Sequence, residues 1–235
     1  MHSEKSGGLQ VIKEDKRVRI ITGHYGSGKT EFAVNYVIRL REMVEGQVAI
    51  ADLDVVNPYF RTREKKELLE AKGIQVIDSS INGRCVDVPA LSPAIVAPLR
   101  NSTYNYVVDL GGDHVGSRAF ARFVGDLDKT DYDLFFVINA NREETTTPEG
   151  VLEHIGKIEY TTGIKVTGLI NNTHLVRETT VEDVLKGQEL AKEVSKALNI
   201  PIRYISCMEH IAKELPEGLE GEVLPIDMIM REEWM

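Results

Sequence analysis

Eight consecutive residues, Gly23-His24-Tyr25-Gly26-Ser27-Gly28-Lys29-Thr30, constrain the fold more than any other part of the chain. They fit G-x-x-x-x-G-K-[ST], a loop whose backbone N–H groups wrap around phosphate oxygens. Such a loop works only between a strand and a helix. Residues 18–22, Val-Arg-Ile-Ile-Thr, read as a buried strand. Residues 29–45 read as a helix, with Phe32, Val34, Val37, Ile38 and Leu40 on its apolar faces. The glycines allow close backbone approach, and the helix N-terminus supplies partial positive charge. Lys29 would reach the β- and γ-phosphates, and the Thr30 hydroxyl is placed to ligate Mg²⁺. Gly23 through Thr30, with Glu31 beside them, are therefore the expected nucleotide-binding segment.

Strand and helix signals alternate along the rest of the chain. Further strands are predicted at 47–52, 75–77, 105–109, 132–138, 165–170 and 202–206. Further helices are predicted at 62–72, 93–101, 117–127, 148–160 and 181–199. Several strands are continuous apolar runs, as a parallel sheet covered on both faces requires. Gly46, Gly73 and Gly163 fall at helix ends, where C-terminal caps belong. The expected class is α/β, a mostly parallel sheet flanked by helices on both faces. The polar residues 1–16 read as a flexible opening segment, and 17–235 as one nucleotide-binding domain.

Charge and hydropathy narrow the function classes. The formal net charge of −9 opposes non-specific nucleic-acid binding or adhesion to an anionic membrane. The longest apolar runs, such as 134–138, are strand-length and far short of the ~20 residues that span a bilayer. No apolar signal segment is visible at the start, so a cytoplasmic location is expected. Cys85 and Cys207 have no metal-ligand spacing and read as ordinary thiols. Residues 224–235 mix apolar and acidic side chains with a single arginine. They read as a terminal strand or helix packed on the body or on a second subunit.

Three further strand ends carry polar groups. Asp52 and Asp54 close one strand at i and i+2, so they point the same way. In an open α/β sheet ligands bind beyond the carboxyl ends of the strands, so both would face the phosphate loop's crevice. One of them would orient an attacking water or hold a water on Mg²⁺; the alternative is a pair of turn-starting aspartates. Asp109 ends another apolar strand before Leu110-Gly111-Gly112-Asp113. It would bond an Mg²⁺-bound water or Thr30, and the Gly112 N–H would meet the γ-phosphate, making that loop a sensor of hydrolysis. Asn171 and Asn172 close a later strand. An amide suits the edge of an adenine ring, and a turn-forming pair is the alternative.

Together these motifs resemble the MinD/ParA/ArsA-like (SIMIBI-class) P-loop ATPases, a group that also contains the nitrogenase iron protein. The resemblance rests on Gly23 to Thr30, Asp52-Leu53-Asp54, Asp109-Leu110-Gly111-Gly112 and Ile170-Asn171, in that order, and spans roughly residues 18–206. It implies a parallel sheet of seven or eight strands, ATP at its carboxyl edge, slow Mg²⁺-dependent hydrolysis and nucleotide-governed homodimerisation. It also assigns roles to Lys29 (phosphates), Thr30 (Mg²⁺), Asp54 (water activation), Asp109 (Mg²⁺ through water) and Asn171 (base). One position departs. The group's loop carries a lysine that reaches the partner's nucleotide, and here His24 stands in its place. Arg61 or Arg63 could supply that charge instead.

Two readings of function follow. One is an ATPase switch that acts on an unidentified protein partner. The other is an ATP-dependent kinase or ligase whose acceptor binds the polar loops at 79–87 and 139–147. A nucleotide-binding module with negligible turnover is a third, and GTP in place of ATP stays open.

Overall fold

The apolar runs assemble into one sheet with helices on both faces. The computed structural model describes residues 7–54, 62–78 and 93–231. Its strands are β1 (Val18–Gly23), β2 (Gln47–Leu53), β3 (Ile74–Asp78), β4 (Tyr104–Leu110), β5 (Tyr132–Ile138), β6 (Gly168–Asn171), β7 (Ile202–Met208) and β8 (Glu222–Ile226). Its α-helices are α1 (Gly7–Glu14), α2 (Lys29–Met43), α3 (Lys66–Ala71), α4 (Val96–Arg100), α5 (His114–Ala121), α6 (Pro148–Thr162), α7 (Val181–Leu198) and α8 (Glu209–Ala212). The strand order is β3-β2-β4-β1-β5-β6-β7-β8, and every neighbouring pair is parallel.

Alternation along the strands sends side chains to two cores. On one face Ile20, Ala51, Val108 and Phe136 pack against Phe120 of α5, Ile155 of α6 and Val194 of α7. On the other, Ile21, Ile50, Val107 and Val137 pack against Phe32, Tyr36 and Leu40 of α2. The register then sets the site. Asp52 of β2 lies opposite Asp109 of β4, and Ile21 of β1 lies on Asp109's other side. The ends of β2, β4 and β1 thus converge on one edge.

Three segments differ from the sequence reading. Within the opening segment read as flexible, Gly7–Glu14 forms α1. Ile12 is fully buried, and the buried Asp15 carboxylate accepts bonds from Tyr36 Oη (2.6 Å), Arg203 Nε (2.6 Å) and Tyr204 Oη. The helix expected at 117–127 starts at His114 instead, because Asp113 Oδ1 caps it by accepting from the Val115 and Gly116 amides at 2.6 and 2.9 Å. It ends at Ala121, and a separate 3-10 turn follows at Val124–Asp126. Finally, residues 222–226 extend the sheet as its eighth strand beside β7.

Candidate nucleotide site

The loop between β1 and α2 has the backbone that phosphate binding needs. Gly26 and Gly28 take φ values of +76° and +82°, and Ser27 N donates to His24 O at 3.0 Å to close the turn. A Cβ at Gly28 would sit 2.3 Å from Asn172 Nδ2, so only glycine fits there. Gly28 caps α2 without a side-chain bond, leaving the first N–H groups of the helix for an anion. The Ser27 hydroxyl is fully buried and has no hydrogen-bond partner among the described residues.

Four groups expected from sequence meet at this loop. Lys29 Nζ lies 2.5 Å from Asp54 Oδ2, and both side chains are buried. Burial disfavours the Lys29 ammonium, but Asp54, Asp109 and Asp113 outweigh it and raise its pKa. Asp52 Oδ1 accepts the Asp54 amide at 3.1 Å, so Asp52 holds Asp54's backbone in place. Asp109 is fully buried, and burial pushes its carboxyl up to about 6. The Asp54 charge adds to that rise, while Lys29 and the hydroxyls of Thr30 and Thr62 oppose it. Thr62 Oγ1 donates to Asp109 Oδ2 at 3.2 Å; Asp109 Oδ1 has no hydrogen-bond partner among the described residues.

A buried, unpartnered carboxylate oxygen beside a threonine hydroxyl suits a hydrated divalent cation. Thr30 would hold Mg²⁺ directly and Asp109 through water. Among the described residues no group of three acidic, histidine or cysteine side chains forms a cage of its own.

Gly112 makes the closest approach. A Cβ there would fall 1.9 Å from Gly23 O and 3.3 Å from His24 N. The loop after β4 therefore lies directly on the phosphate loop.

A recess opens on the other side of the loop. A cavity of about 270 Å³ runs from Gly28, Lys29 and Thr30 past Asn172 and His174 to Met208, Met228 and Met230. Asn171 is not in its lining. Its amide donates to Val184 O (2.9 Å) and Gln188 Oε1 (3.1 Å) and its oxygen accepts the Thr173 amide, so it fastens β6 to α7. Asn171, expected at the base, therefore stands behind the cavity wall rather than in it. The next residue points the other way: Asn172 Nδ2 donates to Ser27 O at 2.7 Å, and Ser206 Oγ donates to Asn172 Oδ1 at 2.6 Å.

Sequence reasoning missed several participants. Arg142, in the loop after β5, donates from Nε to Gly26 O at 3.0 Å. Only its place beyond a strand's carboxyl end marked it. The C-terminal segment forms a wall of the cavity and is tied to α2. Glu31 Oε1 accepts from the Ile229 and Met230 amides at 2.6 and 3.1 Å, and Asn35 exchanges two 2.8 Å bonds with the Asp227 backbone. Burial raises the Glu31 carboxyl, opposed by the Met230 and Ile229 amides. His24 lies away from this cavity, its ring 4.6 Å from that of His154 on α6. Arg61, the Arg63 side chain, Cys85 and the loop at 79–87 lie outside the described residues.

Solved structures share this architecture. Cell division protein FtsY from Thermotoga maritima aligns with 94% of the chain and 71% of its own length, at TM-score 0.52 and 20% identity. The signal recognition particle 54 kDa protein from Aeropyrum pernix K1, solved with GDP, aligns with 80% of the chain and 40% of its own, at 0.50 and 20%. FtsY from Mycoplasma mycoides aligns with 85% and 67%, at 0.50 and 17%. No protein-family model and no curated protein matches the chain. At these identities the likeness concerns the fold: an all-parallel, eight-stranded P-loop NTPase sheet flanked by helices.

Proposed function

We propose that the protein binds Mg²⁺-ATP, hydrolyses it slowly and uses the cycle as a switch acting on a partner protein. The buried Lys29–Asp54 pair carries this reading. A bound polyphosphate offers Lys29 a second anionic partner in competition with Asp54. Nucleotide occupancy then sets where Asp54 sits. Once released from the ammonium, the Asp54 carboxylate is in place to orient a water at the terminal phosphate. Gly112 against Gly23 gives the loop after β4 the same sensitivity. When bound, Mg²⁺ at Thr30 and Asp109 would offset phosphate charge.

The apolar lining of the recess supports the adenine reading. Its inner wall carries Met208, Ile226, Met228 and Met230. Guanine needs an acceptor for its N1–H and 2-amino group. Glu31 is the one carboxylate among the described lining residues, and the Ile229 and Met230 amides already occupy it.

A nucleotide-governed homodimer, as the MinD/ParA/ArsA resemblance implies, belongs to the same proposal. Tyr25, 62% exposed, is the residue of the phosphate loop that a partner would meet first, with His24 half-buried beside it. The test is phosphate release with Mg²⁺-ATP and with Mg²⁺-GTP over a range of protein concentrations, beside Lys29→Ala. ATP-selective turnover whose specific rate rises with concentration supports the switch. Failure to bind either nucleotide sinks it. Transfer to a small-molecule acceptor is the second reading, and one observation favours it: another cavity opens beyond Lys29.

A further inference from the structure

That second cavity, of about 390 Å³, shares Lys29, Asp54 and Gly112 with the phosphate site. Its far wall is built by Ser117 of α5 and by His154 and Lys157 of α6, and His24 lies between the two sides. The volume suits a small molecule.

Its polar groups are unevenly satisfied. Ser117 is 1% exposed, and its Oγ has no hydrogen-bond partner among the described residues. His24 Nδ1 is likewise buried without a hydrogen-bond partner, Glu144 Oε2 standing 3.9 Å off. The His24 and His154 rings lie 4.6 Å apart. Among the described residues Lys157 pairs with Glu153 on the surface, a contact that exchanges readily for another. The carboxylates in the lining are already engaged: Asp54 faces Lys29, and Asp113 caps α5. The groups left able to donate are the His24 and His154 imidazoles, the Ser117 hydroxyl and the Lys157 ammonium, set in a largely apolar lining that includes Tyr25, Ile158 and Tyr160. A buried hydroxyl is ordinarily bonded, so an unpartnered one in a cavity wall points to a ligand that completes it.

We propose that this cavity is a second ligand site for a small organic anion, a carboxylate or a phosphate ester, held by Ser117, His24, His154 and Lys157 beside the nucleotide's terminal phosphate. The proposal rests on the nucleotide reading above, because Lys29 is common to both sites.

The test uses the full chain saturated with Mg²⁺ and a non-hydrolysable ATP analogue, so that the phosphate loop is filled. Calorimetry first establishes that the analogue binds. Methyl phosphate and succinate are then titrated separately while the ring signals of His24 and His154 are followed by NMR. A saturable shift with methyl phosphate alone assigns a phosphate ester; with succinate alone, a carboxylate. Lys157→Gln and His154→Gln are each expected to weaken that binding about tenfold or more, leaving the analogue's affinity unchanged. No saturable shift with either probe, or equal probe affinity in both variants, overturns the proposal. So does sedimentation showing a dimer that shuts both probes out of the cavity. Failure of the analogue itself to bind overturns the nucleotide reading as well, whereas analogue binding without probe binding overturns this proposal alone.

Discussion

Lys29 and Asp54 contact each other at 2.5 Å with side chains 5% and 3% exposed, so an ion pair lies inside the phosphate loop. Asp109 and Asp113 add to the field around the same ammonium. Removing one partner of a buried pair leaves an uncompensated charge. Lys29→Ala strands carboxylates and should destabilise the protein by about 3 kcal/mol, besides abolishing nucleotide binding. Asp54→Asn leaves Lys29 with Asp109 and should cost much less. It should hold ATP at least as tightly as the wild type while lowering hydrolysis about a hundredfold. Chemical denaturation and phosphate release check both. Equal stability losses, or unchanged hydrolysis in Asp54→Asn, would contradict the assignment.

Gly112 and Gly111 separate close packing from mere flexibility. A Cβ at Gly112 falls 1.9 Å from Gly23 O, a backbone atom that cannot swing aside. The nearest atom to a Cβ at Gly111 is Asp54 Oδ1, at 3.2 Å. Gly112→Ala should therefore cost at least about 2 kcal/mol and shift the phosphate loop, with Gly111→Ala well below that. Thermal unfolding together with nucleotide titration of the two variants decides it. A Gly112→Ala protein with wild-type affinity would mean that the two loops do not constrain each other.

What was legible in the sequence was local. The strand, loop and helix around Lys29 announce themselves within thirty residues, and Asp52, Asp54 and Asp109 stand out as carboxylates at the ends of apolar strands. Non-local contacts were not legible. Docking of α1 depends on Asp15 meeting Tyr36, Tyr204 and Arg203, which no window of sequence brings together. Asn171 and Asn172 are the same residue type side by side. Which one turns toward the phosphate loop depends on strand parity, and the parity follows from the packing of β6 on α7. The opening of α5 three residues early follows from one capping carboxylate, Asp113.

His174 should make the protein acid-sensitive. Its imidazole is pushed down to about 4, first by burial and then by the Arg142 and Arg231 charges, against an ordinary value of 6.5. Between those values the unfolded chain binds a proton that the native one does not, so stability falls as pH drops from 6.5 toward 4 and is flat above that range. The contribution lost is about 2 kcal/mol, reduced from the full linkage value because the ring is partly exposed. His174→Gln should flatten this part of the pH profile in urea unfolding. An unchanged slope would assign the acid sensitivity to other groups.

Glu31, at the edge of the base recess, should control it through the C-terminal segment. Its carboxylate holds the amides of Ile229 and Met230, nearly two hundred residues away along the chain. The same segment supplies Met228, Met230 and Arg231 to the cavity wall. Glu31→Ala leaves two amides without their acceptor and should lower stability by about 1–3 kcal/mol. Its larger effect should be on recognition. With the wall loosened, ATP affinity should fall about tenfold, and the preference for ATP over GTP should shrink because guanine meets less resistance. Asn35→Ala provides the comparison, since it removes the neighbouring tie to Asp227, and Asn35's own bonds to Glu31, while leaving the Glu31 carboxylate in place to hold Ile229 and Met230. If both variants lose affinity and selectivity together, the wall sets specificity. If Glu31→Ala loses affinity while Asn35→Ala does not, Glu31 acts through the phosphate loop and the C-terminal segment is a bystander.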